Sequence, residues 1–235
     1  MTNNKKILPL GLLSITLISW LVGYQLFIPR ITLAQRQRFL WLDLYQTNSS
    51  SNNNTEPPAR GRTGGSRGSV CPISPAYNPL AIPLVWSNRP LFMWRLKEGE
   101  EIGKLELWQH VTQDVVWSKQ VSPSEDMLLY DGEALQPGER YFWVLFNQDS
   151  VPLYRLAFQM VDQPTRDRIS SDLMTIEAQL QDDRASTEEI AYAKAQYFAT
   201  RQMWADVLQQ AYSVENPSMA LTDFLQMTRQ QFCSG

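Results

Sequence analysis

From Ile7 to Ile28 the chain carries no charged residue. Nothing constrains the fold more, because a run this apolar cannot sit on the surface of a water-soluble body. Lys5 and Lys6 precede it, and Pro29 and Arg30 end it. Thr32-Leu33-Ala34, with Gln35 behind, has the small-residue spacing of a signal-peptidase site. A signal core is usually ~7–15 residues and a spanning helix needs ~20, so the run is long enough for either use. Three outcomes stay open: cleavage after Ala34, a single-pass anchor formed by residues 7–28, or a buried core helix. In the first two, Lys5 and Lys6 stay cytoplasmic and everything downstream is translocated. The expected location is periplasmic or extracellular, or the membrane surface if the segment is retained.

Residues 1–34 are thus read as signal peptide or anchor, and residues 35–69 as a disordered polar, Gly/Arg-containing linker. The stretch 46–69 holds one alanine and no larger apolar side chain, too little to offset the entropy of ordering it. Charge divides along the chain. The formal total is −3; residues 1–34 hold three cations and no acid, and residues 35–69 hold five arginines against two acids, which leaves −9 on residues 70–235. So acidic a body excludes nucleic acid as the expected partner, since phosphate binding needs clustered Lys and Arg.

Residues 70–161 read as β-structure. Apolar clusters recur at Ile82–Trp86, Leu91–Leu96, Lys104–Gln109, Val115–Val121, Met127–Tyr130, Arg140–Phe146 and Leu153–Val161, separated by turn formers. Short strands at this spacing predict a β-sandwich. Alternation puts Phe92, Trp94 and Leu96 on one face, and Tyr154, Leu156, Phe158 and Met160 on one face with Arg155 and Gln159 opposite. Leu135-Gln136-Pro137-Gly138-Glu139-Arg140-Tyr141 resembles the L-x-P-G-x-x-Y corner of fibronectin type III domains. There the tyrosine hydroxyl bonds back to the turn backbone. Residues 162–235 read as a small helical bundle. Asp162 and Pro164 mark its start, Ser186 to Glu189 form a capping box, and Asn216-Pro217 open the last helix. The predicted class is α+β: a fibronectin III/Ig-like β-sandwich followed by a C-terminal helical bundle.

Chemistry-bearing residues are few. Cys71 and Cys233 are the only cysteines and stand at the two edges of the body; an even count in an exported chain favours a disulfide over two buried thiols. His110 is the only histidine. No nucleophile elbow, P-loop, dinucleotide fingerprint or zinc-ligand spacing occurs, so a non-catalytic chain with no cofactor and no metal is expected. Glu98, Glu100 and Glu101 read as a solvated turn. Trp108 shares its strand face with Lys104, Glu106 and His110, so Trp108 and His110 are the candidate binding surface; the alternative for Trp108 is partial burial under a helix.

The order of motifs carries a resemblance. Arg60-Gly61-Arg62 to Gly68, Cys71-Pro72, Pro90 to Trp94, Leu135 to Trp143, Arg166-Asp167-Arg168-Ile169, and Tyr197 to Leu208 follow one another as in exported cyanobacterial proteins related to the domain-of-unknown-function family 928. The chain resembles these over residues 60–233. The resemblance implies an exported or envelope-associated protein and supplies no activity. Two functions from different classes follow as expectations: a protein-interaction module whose partner is an envelope protein, or a carbohydrate-binding module that stacks polysaccharide on exposed aromatics.

Overall fold

Strand β3 (Leu91–Leu96) has an apolar residue at each of its first four positions, and all four are buried. Period-two alternation then demands a core on each side of it. The computed structural model, which describes residues 41, 43–44, 70–75, 82–97 and 99–233, supplies both. The side chains of residues 231–233 and the expected signal segment and polar stretch 46–69 lie outside the described residues.

β3 is the centre of a three-stranded antiparallel sheet with β1 (Val70–Ser74) and β6 (Met127–Leu129) at its edges. Five further strands form a second sheet: β2 (Leu84–Val85), β4 (Lys104–Gln109), β5 (Val115–Gln120), β7 (Arg140–Phe146) and β8 (Pro152–Met160), in the order β2-β8-β7-β4-β5. Only β2 runs parallel to its neighbour, through Leu84 opposite Gln159 and Val85 opposite Met160. Phe92, Trp94 and Leu128 from the first sheet share one core with Leu105, Leu107, Trp143, Leu145, Leu156 and Phe158 from the second. The Phe92 ring lies 5.5 Å from Trp143 and 6.1 Å from Phe158. Each such side chain contributes ~1.5–3 kcal/mol by leaving water.

Four helices follow: α1 (Gln163–Asp182), α2 (Thr187–Ala199), α3 (Trp204–Tyr212) and α4 (Met219–Cys233). Their apolar faces do not close on one another alone. Ile169, Leu173, Phe198, Val207, Leu208, Leu221 and Phe224 pack with Ile73, Leu91 and Met93 from the other face of the three-stranded sheet. The α+β class therefore holds. Helices cover β1 and β3 of one sheet, whose edge strand β6 keeps Met127 and Leu129 exposed, and the other sheet turns a face outward.

Local signals explain the boundaries. The Asp162 carboxylate accepts the Thr165 N–H and caps α1, and those bonds hold its carboxyl below the usual carboxylate range. Ser186 and Glu189 form the reciprocal box of α2. In the corner, Gly138 takes φ 78°, its N–H reaches the Val161 carbonyl at 2.9 Å, and the buried Tyr141 hydroxyl accepts the Gln136 N–H at 3.2 Å. Leu135 is buried beneath the turn, and Pro137 precedes the glycine.

Four expectations need correction. An eighth strand, β1, exists; a short segment with Pro72 in it lacks the β-branched run that announces a strand. β2 is shorter than Ile82–Trp86 because the N–H groups of Trp86 and Ser87 go to the Asp206 carboxylate instead of a ladder, at 2.9 Å each. Ser218, not Asn216, caps α4: its hydroxyl accepts the Leu221 N–H at 3.2 Å. The linker does not span all of residues 35–69, because Trp41 and Leu44 are helical and are 1% and 2% exposed within the helical core. The Trp41 indole N–H donates to Glu188 Oε1 at 3.0 Å, and its ring lies 5.3 Å from both Tyr192 and Phe224.

Candidate binding surface

The outward face of the five-stranded sheet is built by alternate residues of three adjacent strands. β4 contributes Lys104, Glu106 and Trp108; β7 contributes Arg140, Phe142, Val144 and Phe146; β8 contributes Arg155 and Gln159. Val144 and Phe146 are 2% and 7% exposed although they belong to neither main core. Side chains of their own face cover them. Lys104 extends over the Phe146 ring at 4.5 Å and ion-pairs with Glu106 at 2.6 Å. The Trp108 indole N–H donates to the second Glu106 oxygen at 2.8 Å. Trp108 is thus half-covered by a polar lattice on its own sheet, and neither a helix nor an open ledge describes its setting.

Arg155 is the other roof beam. Its guanidinium lies 3.8 Å from the Phe142 centroid and 5.3 Å from the Trp108 ring. His110 stacks on Phe142 at 4.8 Å and 25°. A flat cation on an aromatic face gains ~0.5–2 kcal/mol, most where water is excluded. The β4–β5 hairpin holds it there. Gln113 accepts a hydrogen bond from the Arg155 guanidinium with its side-chain oxygen and donates to the His110 carbonyl with its amide nitrogen. Its backbone takes φ 63°, the left-handed region, at a cost of order 1 kcal/mol. The Gln113 N–H bond to Gln109 O at 3.0 Å fixes that conformation. Gln109 Oε1 also accepts the N–H groups of Val111 and Thr112 at 2.6 and 2.7 Å. Val111, Val115 and Val116 are exposed beside this turn and along edge strand β5.

The His110 ring is engaged by Phe142 stacking, and no described carboxylate hydrogen-bonds to it. Among the described residues no group of His, Cys, Asp and Glu is arranged to hold a metal ion. Glu100 closes a turn on Lys97, as a solvated loop should, and Glu98 lies outside the described residues. Cys71 lies in β1 and is disulfide-bonded. The side chain of Cys233 lies outside the described residues, although α4, which ends there, packs beside β1.

Two buried carboxylates escaped sequence reasoning. Asp206 is 1% exposed in the first turn of α3, and burial pushes its carboxyl up to about 7 against the opposing pull of the Trp86 and Ser87 N–H groups and Arg166. A displaced acid in a cleft is a catalytic candidate. Here both oxygens are occupied by backbone N–H groups, which makes it a latch between β2 and α3. Glu188 gathers Trp41, the Ser218 N–H at 2.8 Å and the Ser218 hydroxyl at 2.7 Å. The only sequence hint of either is an acid in a helix's first turn, which usually means no more than favourable alignment with the helix dipole.

No protein-family profile matches the chain, and no curated protein does. Among solved structures it is similar to the fibronectin(III)-like modules of Clostridium thermocellum CbhA, at 9% identity over 40% of this chain and 94% of that one, with a TM-score of 0.27. A likeness at that score carries no inference about function. Among the described residues no helix is long and apolar enough to cross a membrane; residues 7–28 are not among them.

Proposed function

We propose that this chain is an exported, non-catalytic envelope protein that works as a protein-interaction module. In this reading the two sheets are a fibronectin III/Ig-like sandwich, the helices are a C-terminal bundle that braces one side, and Cys71 pairs with Cys233. Export rests on Lys5, Lys6 and the uncharged run 7–28, and the envelope setting also on the motif order that resembles the family 928 relatives. The single observation that carries the interaction reading is the outward face of the five-stranded sheet. There an arginine, two aromatic rings and a histidine are fixed in place beside exposed valines, while the helices cover β1 and β3 of the other sheet and leave Met127 and Leu129 of its edge strand β6 exposed. Arg and Trp are the residues most enriched where binding energy concentrates.

Carbohydrate binding is the less supported alternative. Sugar rings need open, coplanar aromatic faces, whereas Phe142 is stacked by Arg155 and His110, and Phe146 lies under Lys104.

The experiment has two arms. Residues 1–40 are fused to a reporter active only outside the cytoplasm; a soluble cytoplasmic reporter overturns export. A photo-crosslinking amino acid at Val116 then tests capture of a discrete envelope protein, in parallel with pelleting on insoluble envelope polysaccharide. Pelleting without a protein adduct overturns the interaction reading in favour of the sugar module.

A further inference from the structure

Charge on the outward face runs against the charge of the body. At its β4, β7 and β8 positions stand three cations, Lys104, Arg140 and Arg155, and one carboxylate, Glu106. Both oxygens of that carboxylate are in use, by Lys104 and Trp108. Residues 70–235 otherwise carry a large negative excess. Among the described residues no carboxylate ion-pairs with Arg155, and the one hydrogen bond it makes goes to the neutral Gln113 amide. Its flat face is spent on Phe142 and Trp108. A guanidinium has five N–H donors in a rigid fork, and such a fork fits a carboxylate bidentately. The strained Gln113 turn fixes the fork before any ligand arrives, which lowers the entropy lost on binding. Val111, Val115 and Val116 give the same corner an apolar rim.

We propose that this corner takes an acidic, apolar-flanked segment of a partner protein, with an Asp or Glu carboxylate of that segment paired to the Arg155 guanidinium over Phe142 and Trp108 and with apolar neighbours against the exposed valines. The proposal rests on the protein-interaction reading and gives it a partner chemistry.

The test uses the full chain in detergent and two fluorescent synthetic peptides, one of alternating glutamate and valine and one of alternating glutamine and valine. Anisotropy should show saturable binding of the glutamate peptide, weakened by added salt, and at least about tenfold weaker binding of the glutamine peptide. Arg155→Glu should abolish the preference while lowering the melting temperature by only the few degrees that the lost ring contact implies, with unfolding still cooperative. Arg155→Lys, which keeps the charge and loses the fork, should fall between the two. Equal affinity for both peptides overturns the proposal, as does glutamate-peptide binding that Arg155→Glu leaves intact. Arg155-dependent binding of soluble polygalacturonate without binding of the peptide also overturns it, as does Arg155-dependent self-association. A partner crosslinked from Val116 while the peptide test fails would sink this inference and leave the interaction reading standing.

Discussion

Replacing Trp41 by alanine should destabilise the whole body, although the polar stretch 46–69 separates this residue from the strands. A buried indole removes roughly 200 Å² from water. At about 25 cal/mol per Å² that is ~5 kcal/mol, an upper figure because the unfolded chain hides part of the same surface. Measured Trp→Ala losses in cores are ~3–5 kcal/mol. Glu188 retains both Ser218 bonds after the substitution, so no orphaned charge adds to the cost. For a body of this size 1 kcal/mol is ~2–4 °C, so calorimetry should show a fall of roughly 10 °C. Trp41→Phe keeps most of the contact with Tyr192 and Phe224 and loses only the bond to Glu188, for a loss of ~1–2 kcal/mol. A chain beginning at residue 46 should melt at the temperature of Trp41→Ala or below. If that truncated chain and Trp41→Ala both melt within a degree of the full chain, Trp41 is no part of the folded unit.

Tyr141→Phe strips the Gln136 N–H of its acceptor and should cost ~1 kcal/mol, read from the urea midpoint. Gly138→Ala meets no atom within 4 Å, so its cost is the left-handed backbone alone, ~1–2 kcal/mol. Asp206 has a folded carboxyl raised above its unfolded value, so its contribution to stability is fully present below pH ~4 and is lost as pH rises through about 7. Chemical denaturation across that window should show stability falling with pH, and Asp206→Asn should flatten the slope; a slope unchanged in the variant assigns it to other groups. Reduction, or Cys233→Ser, should cost about 4–5 kcal/mol on a loop this long and expose α4 to protease; an identical melting curve with and without reductant overturns the Cys71–Cys233 pairing.

What the sequence disclosed and what it withheld divide along a physical line. β3, β4 and β7 have the bounds that their apolar clusters predict, because turn formers stand at both ends of each. Asp162 and Ser186 act as the caps their residue types announce. The corner at Leu135 to Tyr141 closes as its motif requires, since only glycine takes φ 78° there without strain. These are local rules, readable within a few residues. The features that were not legible join distant segments: Trp41 with Glu188, Asp206 with Trp86 and Ser87, and Arg155 with Gln113. No short window contains both partners of any of them. Trp108 shows how this bears on the site. Its strand face was legible, and so were Lys104 and Glu106 beside it, but alternation gives the direction of a side chain and not what covers it. The cover comes from Arg155, which reaches across from β8 to the β4–β5 hairpin. That contact shifts attention from the tryptophan to the arginine. An indole half-hidden under a guanidinium offers little open face to a ligand, whereas a guanidinium pinned by one amide and two rings still presents most of its donors. Alternation identified which residues share this sheet face, and tertiary packing decided which of them is covered and which keeps its donors exposed.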